Sequence, residues 1–245
     1  MRAFIEMTII EIKLFLREPS AAFFTVVFPL LLLFIFGGIF GNEPVAELGG
    51  YGMVDLSVPG YIAMIMGTIG MLSIPVVIAT YRETGVLRRF RATPVNSSVI
   101  LAAQVVVSLI MLTVSSILLV VAAIFIFDLT IPSAGFGIVG AILFAGISFF
   151  TLGFVISGLV SSSRAATAVG MAIFFPMLFL SGAALPRAMF PDFMKSISLA
   201  LPLTHAITLL QDLWNGNGWN GTAVAVLGGM MVVCLIVSAR TFRWE

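Results

Sequence analysis

Residues 28–36 read Phe-Pro-Leu-Leu-Leu-Leu-Phe-Ile-Phe, a run in which no position carries a polar side chain. The run lies within a longer stretch, 19–42, that contains no charged residue. A helix needs about 20 apolar residues to cross roughly 30 Å of hydrocarbon, and this stretch is long enough. A strand of a membrane barrel would instead alternate polar and apolar residues over about ten positions. The run therefore predicts a transmembrane helix.

Five further charge-free stretches follow, and each of the six holds at least 22 residues. The five are 56–81, 92–127, 129–163, 165–186 and 213–239. The chain is 60% hydrophobic and 9% charged, whereas a soluble domain carries about 25% charged residues. We therefore expect an all-α polytopic membrane protein with a single transmembrane domain over residues 1–245. Its six spans are predicted at about 21–41, 58–80, 99–127, 134–160, 165–185 and 222–239.

The distribution of basic residues predicts the orientation. Six spans place both termini on one side of the membrane. If that side is the cytoplasm, ten of the twelve Lys and Arg residues face inward, and only Arg187 and Lys195 face outward. Cytoplasmic loops carry an excess of Lys and Arg. We therefore expect a multi-pass protein of the cell membrane, plasma or inner, with cytoplasmic N- and C-termini.

Two segments outside the spans are also predicted to lie at the membrane. Residues 1–20 are expected to form an amphipathic helix in the cytoplasmic interface, because four charged residues fall within about 60° on a helical wheel. These are Arg2, Glu6, Lys13 and Arg17. The outer segment 186–221 is too apolar for a free loop, and Pro202 divides it into pieces too short to span a bilayer. We expect a re-entrant or interfacial helical hairpin there; a cap packed on the spans is the alternative.

Residues that several classes of function require are missing from the sequence. A nucleotide-binding P-loop needs Gly-Lys followed by Ser or Thr, and neither Lys13 nor Lys195 follows glycine. With one His and one Cys there is no cluster of metal ligands. His205 is expected to be a satisfied polar residue and Cys234 a packing residue. We therefore expect no enzyme activity, metal site or cofactor in this chain, and no nucleic-acid partner.

The segment 81–98, between the second and third predicted spans, is short and holds four of the twelve basic residues. A basic anchor beside the membrane is one interpretation. The segment also contains the pattern Arg82-Glu83-x-Gly85-x-Leu87-x-Arg89-x-Arg91-Ala92-Thr93-Pro94. This pattern resembles the signature loop of permeases in type-2 ATP-binding cassette exporters, in particular their drug-resistance and nodulation-factor branch.

The resemblance covers nearly the whole chain. It includes the N-terminal helix with Arg17-Glu18-Pro19, the six spans, the outer hairpin and the segment Leu201-Pro202-Leu203-Thr204. It implies that 81–98 holds a short coupling helix that docks on a separate cytoplasmic ATPase, which would carry the ATP and Mg. The coupling residues implied are Glu83, Gly85, Leu87, Arg88, Arg89, Phe90 and Arg91.

The resemblance also implies an assembly and a transport path. Two permeases, identical or related, would meet face to face above two ATPases, with spans one, two and five beside the path and the outer hairpin at the exit gate. The cargo expected is an amphipathic, lipid-like or drug-like molecule leaving the cytoplasm or the inner leaflet, as in antibiotic resistance.

Two other functions remain open at this point. A secondary transporter or channel predicts charge buried in the spans or inverted repeats, and the sequence shows neither. A membrane scaffold predicts that transport persists without this chain. No motif in the sequence identifies the cargo.

Overall fold

The computed structural model describes residues 8–13, 22–86, 98–131 and 135–241. Six helices of this part are long and apolar enough to cross a membrane. They are α1 (Phe23–Phe40), α2 (Met53–Glu83), α3 (Ser98–Phe127), α4 (Gly135–Leu159), α5 (Ser163–Leu180) and α8 (Gly221–Thr241). Residues 8–13 are also helical. The prediction of an all-α membrane protein with six spans is confirmed.

Helix α2 is the centre of the bundle. In its most apolar 18-residue window 83% of the residues are buried, against 22% for α1, 28% for α5 and 17% for α8. A helix that is apolar on every side belongs in the interior. The other spans therefore surround α2, and α1, α5 and α8 leave most of their surface uncovered.

Helix α2 begins at Met53 and not near residue 58, where the second span was expected. The expected start excluded Asp55 because the span was defined as free of charge. The structure keeps Asp55 in the first turn of α2, where a helix N-terminus favours a negative charge. Hydrogen bonds described below satisfy its carboxylate.

Close backbone contacts join α2 to α4 and α5 around a π-helical turn at Ile69–Ser73. A Cβ added to Gly153 of α4 would lie 2.2 Å from the carbonyl oxygen of Gly70. A Cβ added to Gly170 of α5 would lie 2.3 Å from the carbonyl oxygen of Met71. Only glycine permits such an approach, so these two positions fix how close the three helices come.

The outer segment forms two helices, α6 (Asp192–Ser198) and α7 (Pro202–Trp214), whose axes differ by 98°. Pro202 opens α7, so the break falls at the proline that was expected to divide the segment. One face of α7 is buried against the bundle. His205 Nε2 lies 2.9 Å from the carbonyl oxygen of Leu199, so it has the satisfied polar role expected of it.

Candidate functional site

The last turn of α2 is attached to the end of α4. Here α2, α4 and α8 end and α1, α3 and α5 begin, and we call this the Glu83 side of the bundle. Arg82 Nη1 donates hydrogen bonds to the carbonyl oxygens of Ser157, at 3.1 Å, and Val160, at 2.8 Å. The last carbonyls of a helix lack partners within the helix and form the negative end of its dipole. The guanidinium of Arg82 therefore caps α4.

The neighbouring residue, Glu83, attaches α2 to the start of α5. Its Oε2 accepts a hydrogen bond from Ser163 Oγ at 2.8 Å. Ser162 caps α5, because its Oγ accepts a hydrogen bond from the backbone N–H of Ala165 at 3.2 Å. Arg82 and Glu83 thus hold the turn between α4 and α5 from both sides, and we call this arrangement the Arg82–Glu83 clamp.

Gly85 ends α2 through its backbone conformation. Its φ is +69°, in the left-handed region that favours glycine. The N–H of Thr84 donates to the carbonyl oxygen of Thr80 at 2.9 Å, and the N–H of Gly85 donates to that of Arg82 at 3.1 Å. These bonds satisfy carbonyls of the final turn. Gly85 therefore sets the direction in which the chain leaves the helix.

Of the seven residues proposed for coupling, the structure brings Glu83 and Gly85 together at the end of α2. The other five lie outside the described residues; these are Leu87, Arg88, Arg89, Phe90 and Arg91. Sequence reasoning passed over Arg82 and Ser163, which complete the clamp. The signal available was topological, because the polar turn 161–164 and the end of the second span fall on the same side of a six-span protein.

A second contact on the Glu83 side joins the N-terminal helical segment to α2. The hydroxyl of Tyr81 donates a hydrogen bond to the carboxylate of Glu11, whose side chain is 3% exposed. Burial raises the pKa of Glu11, and the hydrogen bond from Tyr81 acts in the opposite direction. Glu11 and Tyr81 both line a cavity of about 260 Å³ between the segment 8–13, α2 and α3.

Sequence reasoning also passed over Glu11, although the sequence carries a signal for it. On a helical wheel Glu11 lies about 180° from Arg2, on the apolar side of the amphipathic helix. A lone carboxylate on an apolar face needs a partner inside the protein. That this partner is Tyr81, 70 positions along the chain, is visible only in the structure.

On the opposite side of the bundle, Asn42, Asp55 and Thr130 form a polar group that we call the Asp55 cluster. Asp55 Oδ1 accepts hydrogen bonds from Asn42 Nδ2, at 3.2 Å, and from the N–H of Thr130, at 2.9 Å. Asp55 Oδ2 accepts one from Thr130 Oγ1 at 3.2 Å. The Asp55 cluster therefore connects the α1–α2 loop, the first turn of α2 and the α3–α4 loop.

Helix α7 is tied to the same region. Trp214 Nε1 donates to the carbonyl oxygen of Thr130 at 3.1 Å. Gln211 Nε2 donates to the carbonyl oxygen of Leu56 at 2.9 Å. Trp214 is 8% exposed and packs inside the protein. The indole and the amide therefore hold α7 on the loop after α3 and on the first turn of α2.

Comparison with known proteins agrees with this architecture. Residues 2–213 match the sequence profile of the family described as ABC-2 type transporter. The chain is 25% identical over 224 residues to ycf38 of Pyropia yezoensis, which is named as a transport permease, covering 89% of this chain and 76% of the relative. It is 25% identical over 211 residues to ycf38 of Porphyra purpurea, covering 84% and 72%.

A third relative has a more specific name. The chain is 23% identical over 223 residues to the daunorubicin resistance ABC transporter permease protein DrrB1 of Streptomyces coeruleorubidus, covering 89% of this chain and 76% of that protein. The profile match takes in the N-terminal segment, the first five spans, the residues that form the clamp and nearly all of α7. This protein therefore belongs to the ABC-2 type transporter family.

Proposed function

We propose that this protein is the permease subunit of an ATP-binding cassette exporter, driven by ATPase subunits on separate chains. The family match and the six apolar helices support a transport subunit of this kind. The two lysines of the sequence do not follow glycine, so a P-loop would have to come from a partner. ATP and Mg would bind on that partner.

In this proposal the Glu83 side faces the cytoplasm. Ten of the twelve basic residues then lie on the cytoplasmic side of the membrane, in agreement with the positive-inside tendency. The segment 81–98 follows α2 on that side, where a cytoplasmic ATPase could contact it. Leu87, Arg88, Arg89, Phe90 and Arg91 are the proposed contacts, together with Glu83 and Gly85.

The observation that carries the proposal is the Arg82–Glu83 clamp. A displacement of the coupling segment acts first on the end of α2, which is hydrogen-bonded to the end of α4 and the start of α5. The movement is thereby shared by three spans. ATP can drive transport only if it favours one arrangement of these spans over another by a differential free energy.

The cargo and the assembly belong to the same proposal. The largely uncovered surfaces of α1 and α5 leave room for a second permease copy, identical or related. The apolar interior suits an amphipathic, lipid-like or drug-like cargo moving outward from the cytoplasm or the inner leaflet. The name of DrrB1 makes a drug one candidate class.

Co-purification in detergent tests the proposal. An ATP-binding cassette ATPase should purify with the wild-type chain and be lost when Arg88, Arg89 and Phe90 are changed together to alanine. The matched control changes Arg240, Phe242 and Arg243 to alanine, which removes the same three residue types near the C-terminus and should leave the ATPase bound. Normal ATPase binding and transport in the first variant would contradict the docking site, as would labelling of residues 82–94 from the cell exterior.

A further inference from the structure

The cavity on the Glu83 side has apolar walls and a small number of polar groups. It lies between the segment 8–13, the second half of α2 and the first half of α3. Val77, Val107 and Met111 contribute apolar wall. Its volume of about 260 Å³ is enough for a small organic group. Concave apolar sites with a few placed polar groups are the usual form of a small-molecule site.

Gln104 supplies an acceptor without a partner. Its side chain lines the cavity and is 4% exposed. Its Oε1 is buried and makes no hydrogen bond to any part of the chain that the structure describes. A buried acceptor left unpaired loses the hydrogen bond that it makes to water in the unfolded chain, which costs free energy. A ligand that donates a hydrogen bond to this oxygen would recover that free energy.

Glu11 supplies a negative charge. From the residues that the structure describes its carboxylate accepts one hydrogen bond, donated by Tyr81, although a carboxylate can accept about four. Glu11 is the one carboxylate among the described residues that line the cavity, and none of those residues is Lys or Arg. A buried carboxylate is costly where no cation pairs with it. Burial is also what raises the pKa of Glu11. The cavity therefore favours a cationic ligand.

We propose that this cavity binds a primary ammonium group carried on an apolar body, with Glu11 as counter-ion and Gln104 Oε1 as hydrogen-bond acceptor. The apolar body lies against Val77, Val107 and Met111. As a cargo site it rests on the proposed export function, because it names the chemistry of the molecule that the permease would hold. Two sources share this chemistry, a free amphiphilic amine and the ethanolamine headgroup of a membrane lipid.

The first test compares three probes that share one skeleton. The full-length chain is placed in nanodiscs of phosphatidylcholine, and 4-phenylbutylamine, 4-phenylbutanol and 4-phenylbutyrate are titrated against it by calorimetry, with empty nanodiscs subtracted. The amine is expected to bind at least about tenfold more tightly than the alcohol, and the carboxylate more weakly than both. An amine that binds no tighter than the alcohol overturns the proposal without any variant being made.

Two variants and one control then test which residues cause the preference for the amine over the alcohol. Glu11→Gln should bring the amine-to-alcohol affinity ratio to about one while alcohol binding persists. Gln104→Leu should weaken amine binding several-fold and keep part of the preference. The control, Glu43→Gln, removes an exposed carboxylate far along the chain from the cavity and should leave both affinities unchanged. An unchanged ratio in folded Glu11→Gln overturns the proposal.

A further variant keeps the test decisive if Glu11→Gln does not fold. Tyr81→Phe releases the acceptor atom of Glu11 and retains its charge, so the preference for the amine should be kept or increased. Loss of the preference in folded Tyr81→Phe would overturn the assignment of Glu11 as counter-ion.

The source of the ammonium group is decided by a competition arm. Phosphatidylethanolamine added to the nanodiscs should displace the probe if the natural ligand is a lipid headgroup and should not displace it if the ligand is a free amine. Both results support an ammonium site. The assay contains no ATPase and no transport step. If the amine did not bind preferentially, the proposed export function would be unaffected. If no ATPase purified with the wild-type chain, the proposed ammonium site would be unaffected.

Discussion

Arg82 Nη1 lies 2.8 Å from the carbonyl oxygen of Val160, a residue 78 positions further along the chain. This contact attaches the first residues of the basic segment to the turn between α4 and α5. The motif Arg82-Glu83 therefore acts within the bundle through its side chains, while Leu87 and the basic residues after it belong to the part proposed to contact the ATPase. Stability and coupling should respond differently to changes in these two parts.

Replacement of Arg82 should destabilise the bundle. Arg82→Ala leaves the carbonyls of Ser157 and Val160 without their cationic donor, and hydrogen bonds to charged groups contribute about 1.5–3 kcal/mol. We expect a loss of about 2 kcal/mol, measured by thermal unfolding in detergent. Arg82→Lys should recover only part of it, because an ammonium is not a planar fork. Arg240→Ala, at an exposed position of α8, should change stability little.

Replacement of Gly85 should act through the backbone alone. A Cβ at Gly85 would meet no atom of the described residues within 4 Å. The expected cost therefore comes from the positive φ, because the left-handed region costs an ordinary residue about 1–2 kcal/mol. Gly85→Ala should lower the unfolding temperature, and Gly85→Asn should lower it less. Gly38→Ala also meets no atom but lies inside α1. A loss of stability in Gly38→Ala equal to that in Gly85→Ala would contradict this explanation.

Asp55→Ala should loosen the outer loops. It removes the acceptor for half-buried Asn42 and for two donors of exposed Thr130, and a typical hydrogen bond contributes about 0.5–1.5 kcal/mol net. Thermal unfolding should show a loss in that range, and proteolysis within the α1–α2 loop should become faster. Asp192→Ala is the control, since its pair with Lys195 spans 3.5 Å at the surface, where such pairs contribute little.

Gly153→Ala should separate α2 from α4. The new Cβ would lie 2.2 Å from the carbonyl oxygen of Gly70, which belongs to the backbone and cannot rotate away. Overpacking of this kind costs typically about 1–3 kcal/mol or more. Gly229→Ala on α8 adds the same atom where no neighbour lies within 4 Å. Equal unfolding temperatures for the two variants would disprove the close approach.

The raised pKa of Glu11 predicts that the stability of the protein depends on pH. Its raised pKa means that the native state holds a proton more tightly than the unfolded chain. Its contribution to stability is therefore greatest below the ordinary carboxyl pKa and is lost as pH rises through the raised value. Unfolding temperatures measured across this window should fall more for the wild type than for Glu11→Gln. Glu43→Gln should follow the wild type.

The spans could be predicted because hydrocarbon excludes charge, and the charge-free stretches coincide closely with the six long helices. The start of α2 could not be predicted, because the Asp55 carboxylate accepts its hydrogen bonds from Asn42 and Thr130, which approach it only in the folded protein. The break of the outer segment at Pro202 could be predicted, since proline lacks the N–H that continues a helix. The 98° angle that follows depends on the packing of α7.

The candidate site could be predicted from the sequence only in part, because some of its contacts join residues that are distant along the chain. The motif located the end of α2, and φ > 0 at Gly85 explains why glycine is needed there. The partners of Arg82 and Glu11 come from positions distant in the sequence. Contacts of this kind depend on how the helices are arranged around α2, and periodicity within one helix carries no information about that arrangement.

The π-helical turn at Ile69–Ser73 affects how α2 can tolerate changes in length. Such a turn accommodates one more residue than the α-helix around it. Each residue of an α-helix rotates the next by about 100°. Deleting a single residue within 69–73 would allow a regular helix while Tyr61 and Tyr81 keep their present faces, whereas a deletion elsewhere in α2 would turn one end of it relative to the other. Single-residue deletions in this helix should therefore be accepted at the π-helical turn and rejected on either side of it.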